Sequence, residues 1–426
     1  MAKKASTKGK EKSADGGFSF LDFDKKLSKI PGFELGSVIE HNTFSEVSEW
    51  IPTGNYLLNA VISGSLFGGI PNSRSLGLIG DPETGKTYMC LNFVREFQRK
   101  GYDVIYCETE GAVDRDSVVK FGIDTMRMRY QPIGTVNKFK TFVVNVIKMV
   151  QEAREAGQNP KIAIFLDSIG MLGTEKEHDD ALEGKTAGDM GAKAKQLRLM
   201  FRTITLDLAA NKIPLICTNH TTIGGIGSYT GPTKESAGGD GPVFAMSSVL
   251  FLSKKFEIET NNGEKLKTGV ILNVMPRKSR NVVPTNISMH VSFIKGMNPF
   301  VGLEEYVSWE ACGIQKGKIH TKKEAEKAGV NGYAFTHTYD DVDKDTGEIK
   351  KTITEDLVFE PKETGRYCVK HLGKSLASEG MLFNKDVFTE DVLKQLDENA
   401  VKEAFKFPDH VEDENLTGII EEEGEE

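Results

Sequence analysis

No stretch of about 18 consecutive apolar residues occurs in this 426-residue chain, which excludes a membrane-spanning helix. Cysteine is scarce: Cys90, Cys107, Cys217, Cys312 and Cys368 are the only five, and no two form a C-x-x-C pair of the metal-binding kind. Two of them lie inside apolar runs, so the expectation is a reduced, cytoplasmic protein with thiols in its core. Positive charge is not in excess either, the net charge being −8. Its distribution matters more than its sum: Asp409–Glu426 holds nine acidic residues and no Lys or Arg, and without that tail the chain is close to neutral. Bulk charge therefore neither supports nor opposes a nucleic-acid partner, and local patches must decide. The basic start, MAKKASTKGKEK, is not followed by an apolar stretch and does not read as a secretory signal. No repeat at a fixed period is present.

The length suits two or three domains. Residues 1–16 are polar and Lys-rich and are expected to be disordered, and 17–48 to be a small N-terminal segment. From about Trp50 to Leu303 short apolar runs (SLGLIG, DVIYCE, KIAIFLD, IPLICTN, SSVLFLS and GVILNVM) alternate with helical stretches. That alternation predicts an α/β domain over 49–303 with a mostly parallel central sheet flanked by helices. A small C-terminal domain is expected over 304–408, with a helix-like stretch, a hairpin and a helical end, then a disordered acidic tail over 409–426. Asp341, Asp343 and Asp345 imitate the start of a calcium loop. Thr346 and Thr352 stand where that loop needs Gly and Glu, so a hairpin with Gly347 in its turn is the better reading.

The strongest motif is GDPETGKT: Gly80, Asp81, Pro82, Glu83, Thr84, Gly85, Lys86 and Thr87. It follows an apolar strand and precedes a helical run, the context in which such a loop cradles phosphates. Its glycines allow close backbone approach, and successive N–H groups with the helix N-terminus face the anion. Lys86 can reach the outer phosphates of ATP, and the Thr87 hydroxyl can hold Mg²⁺. Asp167, ending the strand KIAIFLD about 80 residues later, is placed to orient that Mg²⁺ through water. The strand VIYCETEG ends in Glu108 and Glu110, and a carboxylate there could polarise an attacking water. Chemistry alone does not separate the two glutamates.

Residues 189–210 predict an amphipathic helix. Met190, Ala194, Leu197, Phe201, Ile204 and Leu208 form its apolar stripe, and Lys195, Arg198 and Arg202 a basic row of their own. Thr221–Pro242 holds seven glycines and is too long for a mere connection. In PRKSR, Lys278 and Arg280 alternate, so an extended backbone would project both from one face.

In this order, Gly80–Thr87, ETEGAVD, FLDSIGML, ICTNHT, KESAGGDGP and PRKSR resemble the RecA family of recombinases, and among them the UvsX-type recombinases of T-even-like bacteriophages. The resemblance runs from about Trp50 to Leu303. It implies a RecA-type core preceded by a protomer-linking element, ATP with Mg²⁺, and pairing of single-stranded DNA with homologous double-stranded DNA in a head-to-tail filament. It further implies a phage single-strand-binding protein and a recombination mediator as partners. By the family's pattern Glu110 is the catalytic glutamate, and His220 couples the γ-phosphate to the DNA-binding loop that follows. Met190, Lys195, Arg198, Arg202, Gly238 and Gly239 fall on DNA-contact positions, with Lys234 placed to add a phosphate contact. Lys278 and Arg280 match positions that reach ATP in the neighbouring protomer. The chain departs from the family at Asp240, where a neutral polar residue is usual, and at Ser117, where bacterial relatives carry an adenine-stacking aromatic. A hexameric helicase and a regulatory ATPase without DNA are the competing readings: the first lacks room for its N-terminal domain in 1–48, and the basic row and Gly-rich loop disfavour the second.

Overall fold

A computed structural model describes positions 23, 26, 27 and 29 and residues 46–407, except 186–189, 225–232, 240, 262–263, 281, 294, 319–330, 343–348, 362–366, 372–373 and 378–381. The acidic tail, Asp240 and Gly347 therefore lie outside the described residues. The chain divides after Glu46, and every element below belongs to Val47–Glu426.

The six apolar runs become strands. In chain order the central sheet is built from β1 (Ser75–Gly80), β2 (Asp103–Glu108), β3 (Met128–Pro132), β4 (Ile162–Asp167), β5 (Leu215–Gly224), β6 (Thr233–Ser236), β7 (Ser248–Asn261), β8 (Glu264–Lys278), β9 (Ile287–Ser292) and β10 (Gly296–Met297). Their spatial order is β10-β9-β8-β7-β1-β5-β4-β2-β3, with β6 paired to β5 alone. The segment from β7 through β1, β5, β4 and β2 to β3 is parallel; β8, β9, β10 and β6 join antiparallel. All six residues of β1 are buried, as a strand covered on both faces requires.

Strand parity assigns each side chain to one of two cores. Leu76, Leu78, Tyr106, Phe165, Ile216 and Leu250 face one, with helices α1 (Tyr56–Ser63) and α2 (Lys86–Arg99). Ile79, Cys107, Ile164, Leu166, Cys217 and Val249 face the other, covered by α3 (Val136–Glu155) and α4 (Met190–Ala210). Helix α3 starts where Thr135 caps Lys138 N and buries Val136, Phe139, Val143, Val146, Ile147 and Val150 at helical spacing. In such a sandwich ligands bind at the carboxyl ends of the parallel strands.

Beyond the core, Gln315–Lys318, Asn331–Val342, Ile349–Pro361, Tyr367–His371 and Lys374–Ala377 form an antiparallel sheet of five strands. The two long strands pair from Tyr333↔Phe359 to Val342↔Ile349, which makes a hairpin on either side of Asp343 and Asp345. The chain then returns: Leu382, Phe388, Leu396 and Phe405 enter the first core. Asp397 secures that return by accepting hydrogen bonds from Ser65 Oγ at 2.8 Å and Leu66 N at 2.6 Å.

Candidate nucleotide and nucleic-acid site

The loop Gly80–Thr87 leaves the end of β1 and enters α2, with Gly85 at the helix N-cap in the left-handed region (φ 86°). A side chain at Gly80 would meet Thr84 Oγ1 at 2.6 Å and the Leu252 carbonyl at 2.7 Å, so the backbone turns there only as glycine. Nothing lies near a Cβ built at Gly85, leaving that stretch open to a phosphate. Lys86 is buried, and its Nζ donates to the carbonyls of Gly80 (2.9 Å) and Asp81 (2.8 Å). Burial lowers its pKa, opposed by the charges of Asp167, Glu110 and Asp81. Thr84 is buried, Pro82 and Glu83 are exposed, and Glu83 meets Lys254 at 3.3 Å, an ion pair of little energetic weight at the surface.

Asp167 ends β4 facing the loop. Its Oδ2 accepts from Thr87 Oγ1 and Tyr106 OH, each at 2.8 Å, and its Oδ1 from Thr218 Oγ1. Among the described residues no three His, Cys, Asp or Glu side chains gather to cage a metal. Thr87 and Asp167 nevertheless fit Mg²⁺, which takes one or two protein ligands beside nucleotide phosphates and water.

The two glutamates, alike in sequence, have different surroundings. Glu108 is 3% exposed. Its carboxylate accepts from the backbone N–H groups of Glu110 (3.0 Å), Gly111 and Ala112 (2.9 Å), and from Tyr130 OH at 3.1 Å. It holds the turn together. Glu110 stands on that turn facing the site: its Oε1 accepts from Ser168 Oγ at 2.9 Å and lies 3.2 Å from His220 Nε2. Burial pulls the Glu110 carboxyl up, but the hydrogen bonds from His220 and Ser168, with the charges of His220 and Lys86, outweigh it and hold the group low. Thr109 zips β2 to β4 by donating its N–H to the Asp167 carbonyl and accepting from Ser168 N, which fixes Glu110 beside Asp167.

His220 also faces the second loop, through its backbone. Its carbonyl accepts from Ala237 N at 2.9 Å, and Asn219 Nδ2 donates to Ser236 Oγ and the Ala237 carbonyl. Gly238 (φ 83°) and Gly239 (φ 78°) follow at once, both in the left-handed region. A Cβ on Gly238 would strike Leu197 Cδ1 of α4 at 2.8 Å, and one on Gly241 would touch Arg198. Gly238 and Gly241 therefore lie against the helix that carries Lys195, Arg198 and Arg202, all exposed, while Leu197, Phe201, Ile204 and Leu208 are buried. Lys193 anchors this helix to the turn after β4 by donating to the Gly170 carbonyl at 2.6 Å. Met190 opens α4 and Lys234 lies in β6, but their side chains are outside the described residues.

Lys278 and Arg280 are not gathered into this site. Strand β8 ends at Lys278, and Arg280 sits in a bend, so the alternation expected from an extended segment does not continue to it. Lys278 Nζ donates to the carbonyls of Val243 (3.1 Å) and Phe244 (2.6 Å). Arg280 lines a small cavity with Ser73, Arg74 and Ser75, at the start of β1. The phosphate loop leaves the other end of that strand, about 17 Å away at strand rise. Sequence reasoning missed Tyr106, Thr218, Ser168 and Asn219, whose only sequence signal is a position within two residues of a named site residue.

A family model described as the RecA N-terminal domain matches residues 22–298. The recombination and repair protein of Enterobacteria phage T4 is 27% identical over 292 residues, covering 66% of this chain and 69% of that protein. Protein RecA of Mycoplasmopsis pulmonis is 24% identical over 252 residues, covering 58% and 68%. Protein RecA of Mycoplasma genitalium is 26% identical over 272 residues, covering 61% and 74%.

Proposed function

Because the chain belongs to the RecA family, its match spanning well over half its length, we propose that it is a DNA-dependent ATPase that assembles on single-stranded DNA as a helical filament and pairs it with homologous duplex. One observation carries this reading. His220 touches Glu110 through its side chain and the Ala237–Gly239 turn through its carbonyl, so one residue joins the hydrolytic carboxylate to the loop beside the basic row. A regulatory ATPase without a DNA role needs no such connection.

Mg²⁺ bound with the nucleotide would neutralise phosphate charge at Thr87 and Asp167. The residues of the chain do the rest. Lys86, already held at the loop by two carbonyls, turns toward the β and γ phosphates. Glu110, kept ionised, accepts a proton from the attacking water, and Ser168 and His220 fix the orientation of its carboxylate. Lys195, Arg198, Arg202 and Lys234 neutralise DNA phosphates, and Gly238 and Gly239 let backbone N–H groups approach them. A single-strand-binding protein and a mediator acting on the same DNA complete the proposed setting, in recombination, repair and recombination-dependent replication. Electron microscopy with ATP and single-stranded DNA tests this: open helical filaments are expected, whereas closed hexamers or unbound protein would refute it.

Lys278 and Arg280 fit this assembly as groups acting in trans. Arg280 lies at the far end of β1 from its own phosphate loop, Lys278 is held by the Val243 and Phe244 carbonyls, and a head-to-tail contact would bring both to the loop of the next protomer. A cation supplied in this way stabilises charge in the transition state and makes hydrolysis depend on assembly. Lys278→Ala and Arg280→Ala proteins should fold and bind ATP yet hydrolyse it at least about a hundredfold more slowly on DNA. Mixing either with Lys86→Ala protomers should restore part of the rate, because the latter supply cations to intact sites. No recovery at any mixing ratio, in filaments that contain both subunits, would count against action in trans.

A further inference from the structure

The parallel pairing of β1 with β5 ends at Gly80↔His220, so Asp81 and Thr221 are the first residues beyond the shared ladder. They remain joined: Thr221 Oγ1 donates to Asp81 Oδ1. We propose that this hydrogen bond is a second link between the DNA-binding loop and the phosphate loop, separate from His220 and Glu110, and that Thr221 and Asp81 are positioning residues for DNA-activated hydrolysis.

Each partner is tied to one of the two loops. The Asp81 carbonyl accepts from Lys86 Nζ at 2.8 Å and from Thr84 Oγ1 at 2.9 Å. A side chain that anchors Asp81 therefore sets the carbonyl on which the phosphate-binding lysine rests. Its carboxylate also favours the charged form of Lys86 against burial. Thr221 pairs with Ser236 of β6, one residue before Ala237 and two before Gly238. A displacement of Gly238 and Gly239 by bound DNA thus reaches Thr221 through the β5–β6 ladder.

Two features keep such a displacement from dissipating. Backbone at Gly80 is packed against Thr84 and Leu252. The bond itself runs to a carboxylate oxygen, a stronger acceptor than a neutral hydroxyl or carbonyl. Consecutive residues of a strand direct their side chains oppositely, so His220 and Thr221 reach the site by separate contacts, one to the carboxylate that takes the proton and one to the loop that holds phosphate. A link of this kind transmits a signal only if it differs between the DNA-bound and DNA-free states, and that difference is what the experiment reads.

The inference rests on the reading that DNA activates hydrolysis. Full-length wild type, Thr221→Val, Thr221→Ser, Asp81→Ala and the Thr221→Val/Asp81→Ala double variant would be compared with oligo-dT. One readout is the ratio of hydrolysis rates with and without DNA. The other, independent of turnover, is the factor by which a non-hydrolysable ATP analogue tightens oligo-dT binding in fluorescence anisotropy. Both are expected to fall about tenfold in Thr221→Val, the scale of a single coupling between sites. Thr221→Ser, which keeps the hydroxyl, should restore them, and the double variant should be no worse than Asp81→Ala alone. Wild-type values in Thr221→Val, or equal loss in Thr221→Ser, would overturn the inference and leave the functional reading intact. Hydrolysis and DNA binding that show no mutual dependence in the wild type would overturn both. If Thr221→Val does not fold, Asp81→Ala against Asp81→Asn decides: loss of coupling in the first and retention in the second supports the link, and equal behaviour refutes it.

Discussion

Lys86→Ala is expected to abolish ATP turnover and filament activation while leaving the protein folded. The ammonium is held at the phosphate loop by the loop's own backbone, through the Gly80 and Asp81 carbonyls. Removing it deletes charge compensation that preorganised groups supply in a low-dielectric site, an effect of about a hundred- to a thousandfold for one such donor. Little stability should be lost, because Lys86 is exchanged for a strong helix former at the first turn of α2. Hydrolysis measured with saturating single-stranded DNA, beside a thermal melt, checks both halves. Strand exchange at a near-normal rate would overturn the assignment of the loop.

Glu110→Gln should retain ATP binding, slow hydrolysis by about a hundred- to ten-thousandfold, the usual range for a general base, and prolong the life of filaments on DNA. The amide oxygen can still accept from Ser168 Oγ, so the turn keeps its shape, but the amide cannot take a proton. Glu108→Gln should behave otherwise. Both of its carboxylate oxygens accept backbone N–H groups, from Glu110 and Gly111 on one side and Ala112 on the other. An amide NH₂ must face one of these donors and leave it unpaired, at a cost of about 1–3 kcal/mol. The expected result is a lower melting temperature with a smaller loss of turnover. Slow hydrolysis without destabilisation in Glu108→Gln, and not in Glu110→Gln, would reverse the assignment.

Much of the fold was legible because buried parallel strands must be apolar throughout. The runs at Ser75, Asp103, Ile162, Leu215 and Ser248 stand out from their helical neighbours for that reason. Strand β3, MRYQP, does not: it is the sheet's edge, only partly covered, and its polar residues carry no such signal. The antiparallel direction of β8 was equally hidden, since an apolar run states burial and not orientation. Helix α4 was readable on both faces, because the stripe from Leu197 to Leu208 and the row Lys195, Arg198 and Arg202 repeat at helical spacing.

From residue types and spacing alone came the strand–loop–helix setting of Gly80–Thr87, Asp167 as the candidate partner of that loop, and the family. These depend on residue type and local spacing, which a linear string preserves. Only the tertiary structure decided which glutamate faces the site. Glu108 and Glu110 are two residues apart and chemically identical, and what separates them is a set of backbone N–H groups closed around one carboxylate and a histidine from a strand 110 residues away beside the other. It decided likewise that Thr221 meets Asp81 across 140 residues of chain, and that Arg280 lies at the start of β1, the end opposite the loop. Such relations follow from strand order and register. Those are set by how the whole sheet packs, and no local spacing encodes them.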